Sequence, residues 1–255
     1  MAPLDATPQP GIFAKSRAAA AAAGWGFRHV ASTGSTNADL ADEARAGDRT
    51  IAVLTADHQT AGRGRLDRRW EDDGARQLMV SFRLPVEGDP TWFAGAVASA
   101  ARRAVVALGA PAAFKWPNDL VLETDGVVGK LAGVLAEFVA GEPSVVVVGI
   151  GLNVGPPGVD GAASLDEVGL DVDRDTVLAA MIDALPALLT DPAAVRADLT
   201  EHSATVGRRV RVERPDGDLV GRATAIDADG RLEVEVGGET AVVSVGDVIH
   251  LRAAD

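Results

Sequence analysis

The sequence predicts an α+β fold: a main domain in which a mixed β-sheet packs with helices, followed by a small antiparallel β-barrel. Three observations carry this. Up to about residue 202, runs of alanine, valine and leucine at helical spacing are interspersed with short β-branched runs. After about residue 205 the texture changes to five short alternating strands, divided by Pro215-Asp216-Gly217, Asp227-Ala228-Asp229-Gly230 and Gly237-Gly238. The length of 255 residues, 47% of them hydrophobic and 24% charged, suits one large domain with a small one appended. The expected domains are residues 1–204 and 205–255.

Residues 1–11 contain Pro3, Pro8, Pro10 and Gly11 and read as a loose tail. A helix over 12–23 leads into a strand near 26–31 and a turn at 32–35. Thr36-Asn37-Ala38-Asp39 has the spacing of a capping box, and the helix it opens runs to about Ala46, stopped by Gly47. Residues 50–56 read as a buried strand, 59–70 as a polar Gly/Arg loop, and 78–84 as a strand closed by Pro85. Alanine and valine at helical spacing make 90–108 one long, mostly buried helix. Strands follow at 112–116 and 120–123, and Thr124-Asp125-Gly126 turns the chain into a strand over 127–138. Glu142-Pro143 turns it again into 144–154, whose Val145-Val146-Val147-Val148 run marks a buried central strand. A Pro/Gly loop over 155–163 precedes helices at 174–189 and 192–202. The small domain's strands are 208–213, 219–226, 231–236, 240–245 and 248–251.

Charge and composition exclude several functions. With 37 Asp and Glu against 24 Lys and Arg, the net charge of −13 argues against holding nucleic acid by counterion release. There is no cysteine, so disulfides, thiolate zinc sites and a Cys nucleophile are ruled out. The four histidines show no ligand spacing. No stretch reaches the ~20 apolar residues of a membrane span. Lys15-Ser16-Arg17 followed by six alanines imitates a signal peptide, but it follows an acidic, Pro-containing start; it reads as a helix, and the protein as cytoplasmic. Hydrolase signatures are missing too: there is no Gly-x-Ser-x-Gly elbow, and no phosphate loop of the Gly-x-x-x-x-Gly-Lys-Ser/Thr kind.

Scarce residues mark the candidate site. The three asparagines stand in Ser35-Thr36-Asn37, Trp116-Pro117-Asn118-Asp119 and Gly151-Leu152-Asn153, each beside a different strand end. Each alone fits a turn residue; together they point to a site. Two of the three lysines, Lys115 and Lys130, lie in the same middle stretch. Gly62-Arg63-Gly64-Arg65, continued by Arg68-Arg69-Trp70, concentrates arginines in an acidic chain. Its glycines let backbone amides approach a ligand, its guanidiniums can clamp carboxylate or phosphate, and Trp70 can lie against a planar ring. Taken alone, this segment fits an anion-binding loop or a solvated basic one. Lys130 opens an otherwise buried strand and reads equally as a functional lysine or a snorkelling edge residue. Gly133 in that strand would let a flat ligand rest on the backbone.

Taken in order, Ser35-Thr36-Asn37, Gln59-Thr60-Ala61-Gly62-Arg63-Gly64-Arg65, Lys115-Trp116-Pro117-Asn118-Asp119-Leu120, Gly129-Lys130-Leu131-Ala132-Gly133 and Gly149-Ile150-Gly151-Leu152-Asn153 resemble the biotin protein ligases. The match spans residues 30–155 in the family order, and the C-terminal β segment resembles that family's small SH3-like barrel. The resemblance implies a Mg²⁺- and ATP-dependent reaction. Biotin's carboxylate attacks the α-phosphate of ATP to give biotinoyl-5′-AMP and pyrophosphate. A lysine of a biotin carboxyl carrier protein, part of an acetyl-CoA or related carboxylase, then takes the biotin and releases AMP.

The resemblance further implies roles. Ser35, Thr36 and Gln59 bond the ureido ring, with Asn37 in the same block; Arg63 and Gly64 meet the carboxylate through the backbone. Arg65 holds carboxylate or phosphate and retains the intermediate, and Lys130 stabilises charge at the carboxylate and α-phosphate, so Lys130 and Arg65 are the expected catalytic residues. Trp70 stacks on adenine, Asn118 and Asn153 lie near the nucleotide, Asp119 is a metal or shaping residue, and the 131–135 strand, Gly133 included, lines the biotin pocket. The family run Gly-Arg-Gly-Arg-x-Gly-Arg has Asp67 in place of its later glycine, which adds negative charge and stiffens the loop. Some members carry an N-terminal winged helix that represses transcription; with the Ser-Thr-Asn block at residue 35, no repressor role is expected. A monomer or a homodimer is compatible with the resemblance. The alternative is a lipoate ligase-like acyl-adenylate transferase, for which the pairing of Gly-Arg-Gly-Arg with Lys-Trp-Pro-Asn-Asp is not expected.

Overall fold

The computed structural model describes residues 12–65, 69–70, 76–86, 90–124, 127–214, 217–227, 229–244 and 246–251. The expected tail, the turn at Asp125-Gly126, the Pro215-Asp216 turn and Asp67 lie outside the described residues. The main part of the chain forms α1 (Ala14–Ala22), β1 (Phe27–Thr33), α2 (Thr36–Arg45), β2 (Val53–Gln59), β3 (Gln77–Pro85), α3 (Phe93–Ala107), β4 (Ala112–Lys115), β5 (Asp119–Thr124), β6 (Val127–Val139), β7 (Val145–Asn153), α4 (Arg174–Leu189) and α5 (Pro192–Glu201). It is followed by β8 (Arg209–Glu213), β9 (Leu219–Ile226), β10 (Leu232–Val236), β11 (Glu239–Val243) and β12 (Asp247–His250). A one-turn 3₁₀ helix at Asp166–Val168 is added by the structure.

The large sheet has the order β1-β2-β3-β7-β6-β5-β4. β1 and β2 run parallel on either side of the α2 crossover, and every other neighbouring pair is antiparallel, so the sheet is mixed. Because side chains alternate along a strand, β3, β6 and β7 each present two faces. Leu78, Val80, Phe82, Ala132, Val134, Val148, Ile150 and Leu152 join the main core with residues of α1, α3 and α4. No single helix among the described residues is long and apolar enough to cross a membrane.

The opposite face is divided. Its far half, Val139, Val145 and Val147, is covered by Leu40, Ala41 and Ala44 of α2. On its near half the strands carry Gln77, Met79 and Ser81, then Asn153, Gly151 and Gly149, then Gly133 and Leu135, in register across β3, β7 and β6. Apart from Met79 and Leu135 this half holds small or polar residues, and only the first turn of α2, Thr36 and Asn37, reaches it.

The start of α2 differs from the expected capping box. Ser35, extended at φ −162 and ψ 128, is the N-cap, and its hydroxyl accepts from the Ala38 N–H at 3.5 Å. Asp39 instead accepts a bond from the Thr33 hydroxyl. Moving the cap back by one residue frees Thr36: its N–H donates to Gln59 Oε1 at 2.8 Å, and its hydroxyl lies 3.1 Å from the same oxygen and 2.8 Å from the Ser81 hydroxyl. A serine cap of this kind contributes about 1 kcal/mol to its helix, so the shift of one position costs no helix stability while releasing a hydroxyl for the site.

The second sheet is antiparallel, in the order β11-β10-β9-β8-β12. β11 and β12 are its two edges, so the described ladder is an open five-stranded sheet and not the closed barrel that the spacing of strands suggests. Trp116 fastens this sheet to the large one. Its indole is buried with Val210, Val212, Ala223, Leu232 and Val234, its Nε1–H donates to the Gly230 carbonyl at 2.9 Å, and its backbone N–H donates to Thr205 Oγ1 at 3.1 Å.

Thr205 Oγ1 also lies 3.3 Å from His250 Nε2. Since that hydroxyl oxygen already accepts from Trp116, its own proton is free for a neutral His250 ring. Burial, reinforced by the positive charges of Lys115 and Arg208, lowers the His250 pKa from 6.5 to about 4. Between those pH values the unfolded chain binds a proton that the folded chain refuses, so this residue's contribution is full above about pH 6.5 and is lost as pH falls toward 4. Thermal unfolding followed across this window should show a shallower decline for His250→Gln than for the parent; parallel curves would remove His250 as a source of the acid sensitivity.

Candidate active site

Arg63, Gly64, Arg65, Arg69 and Trp70 of the Gly/Arg loop face the near half of the sheet, and two chambers lie between them. The first is lined by Ser35, Thr36, Asn37, Gln59, Arg63, Trp70, Ser81, Gly133, Leu135, Gly149 and Gly151. Its polar residues form one relay. The Thr36 N–H donates to Gln59 Oε1, the Thr36 hydroxyl donates to Ser81 Oγ at 2.8 Å, and Ser81 donates to Asn37 Oδ1 at 2.8 Å. Asn37 Nδ2 donates in turn to the Leu135 carbonyl at 3.3 Å, tying the start of α2 to β6. Ser35, Thr36, Asn37 and Ser81 are all buried. Neutral donors and acceptors in such a relay suit an uncharged polar ligand, whose own N–H and C=O groups take up the remaining capacity.

Trp70 forms the wall between the chambers. Gly133 and Gly151 stand directly opposite each other on β6 and β7, and the indole lies across both. A Cβ at Gly151 would come within 2.3 Å of Trp70 Cε2, and one at Gly133 within 3.2 Å of Cζ3. The flat group that rests on Gly133 is therefore the protein's own tryptophan. The loop's path is set by backbone bonds: Trp70 N–H donates to the Gly62 carbonyl at 3.1 Å, and Arg63 and Arg69 form an antiparallel bridge.

The second chamber, about 110 Å³, is lined by Arg63, Gly64, Arg65, Arg69, Trp70, Asn118, Asp119, Lys130, Gly133, Val134, Leu135 and Asp247. Four cationic side chains against two carboxylates make it positive in a chain whose net charge is −13. Lys130 Nζ lies 2.8 Å from Asp119 Oδ1 and 5.7 Å from the centre of the Trp70 ring. Arg65 Nη1 donates to Asn118 Oδ1 at 3.0 Å, and Asn118 Nδ2 donates to the Val134 carbonyl at 2.8 Å. Asp247 comes from β12, so the small sheet takes part in this wall.

Most of the residues picked from the sequence thus come together: Ser35, Thr36, Asn37 and Gln59 in one chamber, Gly64, Arg65, Asn118, Asp119 and Lys130 in the other, with Arg63, Trp70 and Gly133 bordering both. Two expectations shift. Asn153 lines neither chamber; it is buried, and its Nδ2 donates to the carbonyls of Lys130 and Ala163 at 3.1 and 3.0 Å, fixing the strand that carries Lys130. Leu131 belongs to the main core, leaving Gly133 and Leu135 to line the first chamber. The sequence reading missed Ser81 and Gln77, whose only local signal is a polar residue on an otherwise apolar strand, and it took Gly149 and Gly151 as motif residues without seeing the surface they clear.

No group of three or more His, Asp or Glu gathers among the described residues to hold a metal ion. The cationic chamber carries two carboxylates, Asp119, paired with Lys130 at 2.8 Å, and Asp247; one or two carboxylates beside substrate phosphates are a donor set that fits Mg²⁺.

Comparison with known proteins agrees with this arrangement. The model of the Biotin/lipoate A/B protein ligase family matches residues 31–153, and that of the Biotin protein ligase C terminal domain matches residues 205–251. The biotin--[acetyl-CoA-carboxylase] ligase of Mycobacterium tuberculosis is 43% identical over 252 residues, covering 90% of this chain and 92% of the relative. The bifunctional ligase/repressor BirA of Escherichia coli is 30% identical over 245 residues, covering 87% of this chain and 72% of the relative. Among solved structures, the biotin protein ligase of Aquifex aeolicus in complex with biotin and ATP shares the fold at a TM-score of 0.74 with 22% identity, over 89% of this chain and 99% of that one. On its motifs, its fold and these relatives, the chain belongs to the biotin protein ligases.

Proposed function

We propose that this chain adenylates biotin with ATP to give biotinoyl-5′-AMP, then transfers the biotinoyl group to a lysine of a biotin carboxyl carrier protein. One observation carries this reading: a chamber whose relay is made of neutral hydrogen-bonding groups and a cationic chamber share the walls formed by Arg63, Trp70, Gly133 and Leu135. A ligand with an uncharged cyclic urea at one end and a carboxylate at the other spans them in one orientation, with the carboxylate delivered to the cations.

In the first step a carboxylate oxygen bonds to the α-phosphorus as the bond to the pyrophosphate oxygen breaks, and pyrophosphate leaves. In the second the carrier's lysine amine bonds to the acyl carbon, loses a proton, and expels AMP. Both reactants of the first step are anionic, so the chain's main contribution is to hold them together against their repulsion. Arg63, Arg65, Arg69 and Lys130 supply the fixed positive charge. Ser35, Thr36 and Gln59 hold the urea ring, Asn118 orients Arg65, and Trp70 offers its indole to the adenine. Asp119 would hold Mg²⁺, which supplies charge neutralisation at the phosphates. The Gly/Arg loop over the chambers keeps water from the mixed anhydride.

The span of the two family models supports treating residues 1–204 as the catalytic domain and 205–255 as a small SH3-like domain that adds Asp247 to the wall. The printed name of the Mycobacterium tuberculosis relative supports a carrier belonging to an acetyl-CoA or related acyl-CoA carboxylase. Both chambers are built within a single chain, so the reading holds for a monomer and for a homodimer, and it is compatible with a cytoplasmic location, where ATP is at hand.

Pyrophosphate exchange into ATP, measured with Mg²⁺ and biotin, lipoate or octanoate, tests the reading directly. Exchange that depends on biotin alone is expected; exchange with lipoate in its place would assign the chain to the sister activity. Lys130→Ala should lower the biotin-dependent exchange rate by about 10²–10³-fold in a folded protein, and a rate near that of the parent would strip Lys130 of a catalytic role. Gly151→Ala puts a methyl where the indole lies, so the KM values for biotin and ATP should both rise with the fold retained. Unchanged KM values would mean that the seat of Trp70 is irrelevant to binding.

A further inference from the structure

Trp70 borders both chambers, yet the bond that fixes its indole comes from a residue outside every motif. The indole Nε1–H, which can only donate, points to Gln77 Oε1 at 3.1 Å. Gln77 is 1% exposed and is the first residue of β3, paired with Asn153 across β7. Its main-chain carbonyl accepts from Arg174 Nη1 at 3.3 Å, and Arg174, the first residue of α4, also donates to Asp57 Oδ1 on β2 at 2.7 Å. Gln77 is thus held by β7 and α4 together, and presents a fixed acceptor to a ring that rests on two glycines with the Lys130 ammonium 5.7 Å from its centre.

We propose that Gln77 is a positioning residue for Trp70: its carboxamide oxygen fixes the indole on Gly133 and Gly151, and so sets how firmly the site retains the adenylate. The proposal rests on the reading that Trp70 faces the nucleotide. A flat seat without side chains restrains an indole against tilting but not against sliding or rotating in its plane, and one directional bond at the ring edge supplies the missing restraint. With the ring free to slide, the wall common to both chambers loosens while Lys130 and the arginines keep their places. The loss therefore falls on binding and retention, and the chemical step is spared.

The test uses the full chain with four variants: Gln77→Met, which keeps the length and removes the acceptor; Gln77→Glu, which keeps an acceptor; Trp70→Phe, which removes the donor; and the Trp70→Phe, Gln77→Met pair. Retention of biotinoyl-AMP without carrier, and KM for ATP against kcat in biotin-dependent exchange, are measured for each. Gln77→Met should shorten retention and raise KM for ATP by about fivefold, the worth of one neutral hydrogen bond, with kcat nearly unchanged. Gln77→Glu should recover most of that loss, and adding Gln77→Met to Trp70→Phe should change nothing more. Additive effects in the pair, no recovery with Gln77→Glu, or parental retention in Gln77→Met would each overturn the proposal. Hydrogen exchange at the Trp70 indole N–H, read by NMR on the unliganded chain, tests the contact without any activity. Exchange in Gln77→Met should be at least about fivefold faster; equal rates count against the bond. A parent chain lacking biotin-dependent exchange would defeat the proposed function, whereas a parent with exchange and an unaltered indole in Gln77→Met would defeat only the role of Gln77.

Discussion

The arrangement of the site depends on bare main chain. Gly133 and Gly151 face each other on neighbouring strands, and the indole of Trp70 lies on both, so close at Gly151 that a Cβ there would come within 2.3 Å of the ring and at Gly133 within a tight 3.2 Å. The same clearing continues at Gly149, where a Cβ would meet Asn37 Oδ1 at 2.4 Å. A sheet face normally buries its side chains under a helix. Here the body of α2 covers the half built from valines, only its first turn, Thr36 and Asn37, reaches the half built from glycines, and residues of the Gly/Arg loop face the rest of that half. The division of one sheet face between a helix and a loop places a neutral chamber beside a cationic one.

Polar groups on this face are positioned by one another. Because Ser35 caps α2, Thr36 is free to bond Gln59, and Ser81 links Thr36 to Asn37. Asn153 and Asn118 each spend their Nδ2 on main-chain carbonyls of β6 or its neighbour, so the two asparagines carry the strand that presents Lys130 and Val134. A buried relay is stable only when its members are satisfied together, which is why residues spread from position 36 to position 135 act as a unit.

Trp116 extends this logic to the second sheet. It stands in the same short segment as Asn118 and Asp119, which line the cationic chamber, and its indole is buried among the valines of the small sheet. The segment therefore faces the ligand with one end and anchors the C-terminal part of the chain with the other. That attachment in turn brings Asp247 to the chamber wall.

The order of helices and strands was legible in the residues because hydrophobic periodicity is local, and α4 and β9 follow the expected spans to the residue. The candidate chemistry was legible too, because asparagine, lysine and clustered arginine are conspicuous in this composition. What local pattern leaves open is pairing. The capping box was read one residue late, since competition between Ser35 and Thr36 for the cap is settled by Gln59, twenty-three positions away. The ladder of short strands spaces like a barrel, but among the described residues β11 and β12 are its two edge strands, because closure depends on how these strands lie and not on their composition. Gln77 and Ser81 look like lapses in an apolar strand until β3 is set beside β7. The sequence by itself thus determined the periodicities and the reactive residue types. The tertiary structure alone decided which of them share a wall, because a hydrogen bond or a cleared glycine surface exists only between groups that strand register brings together.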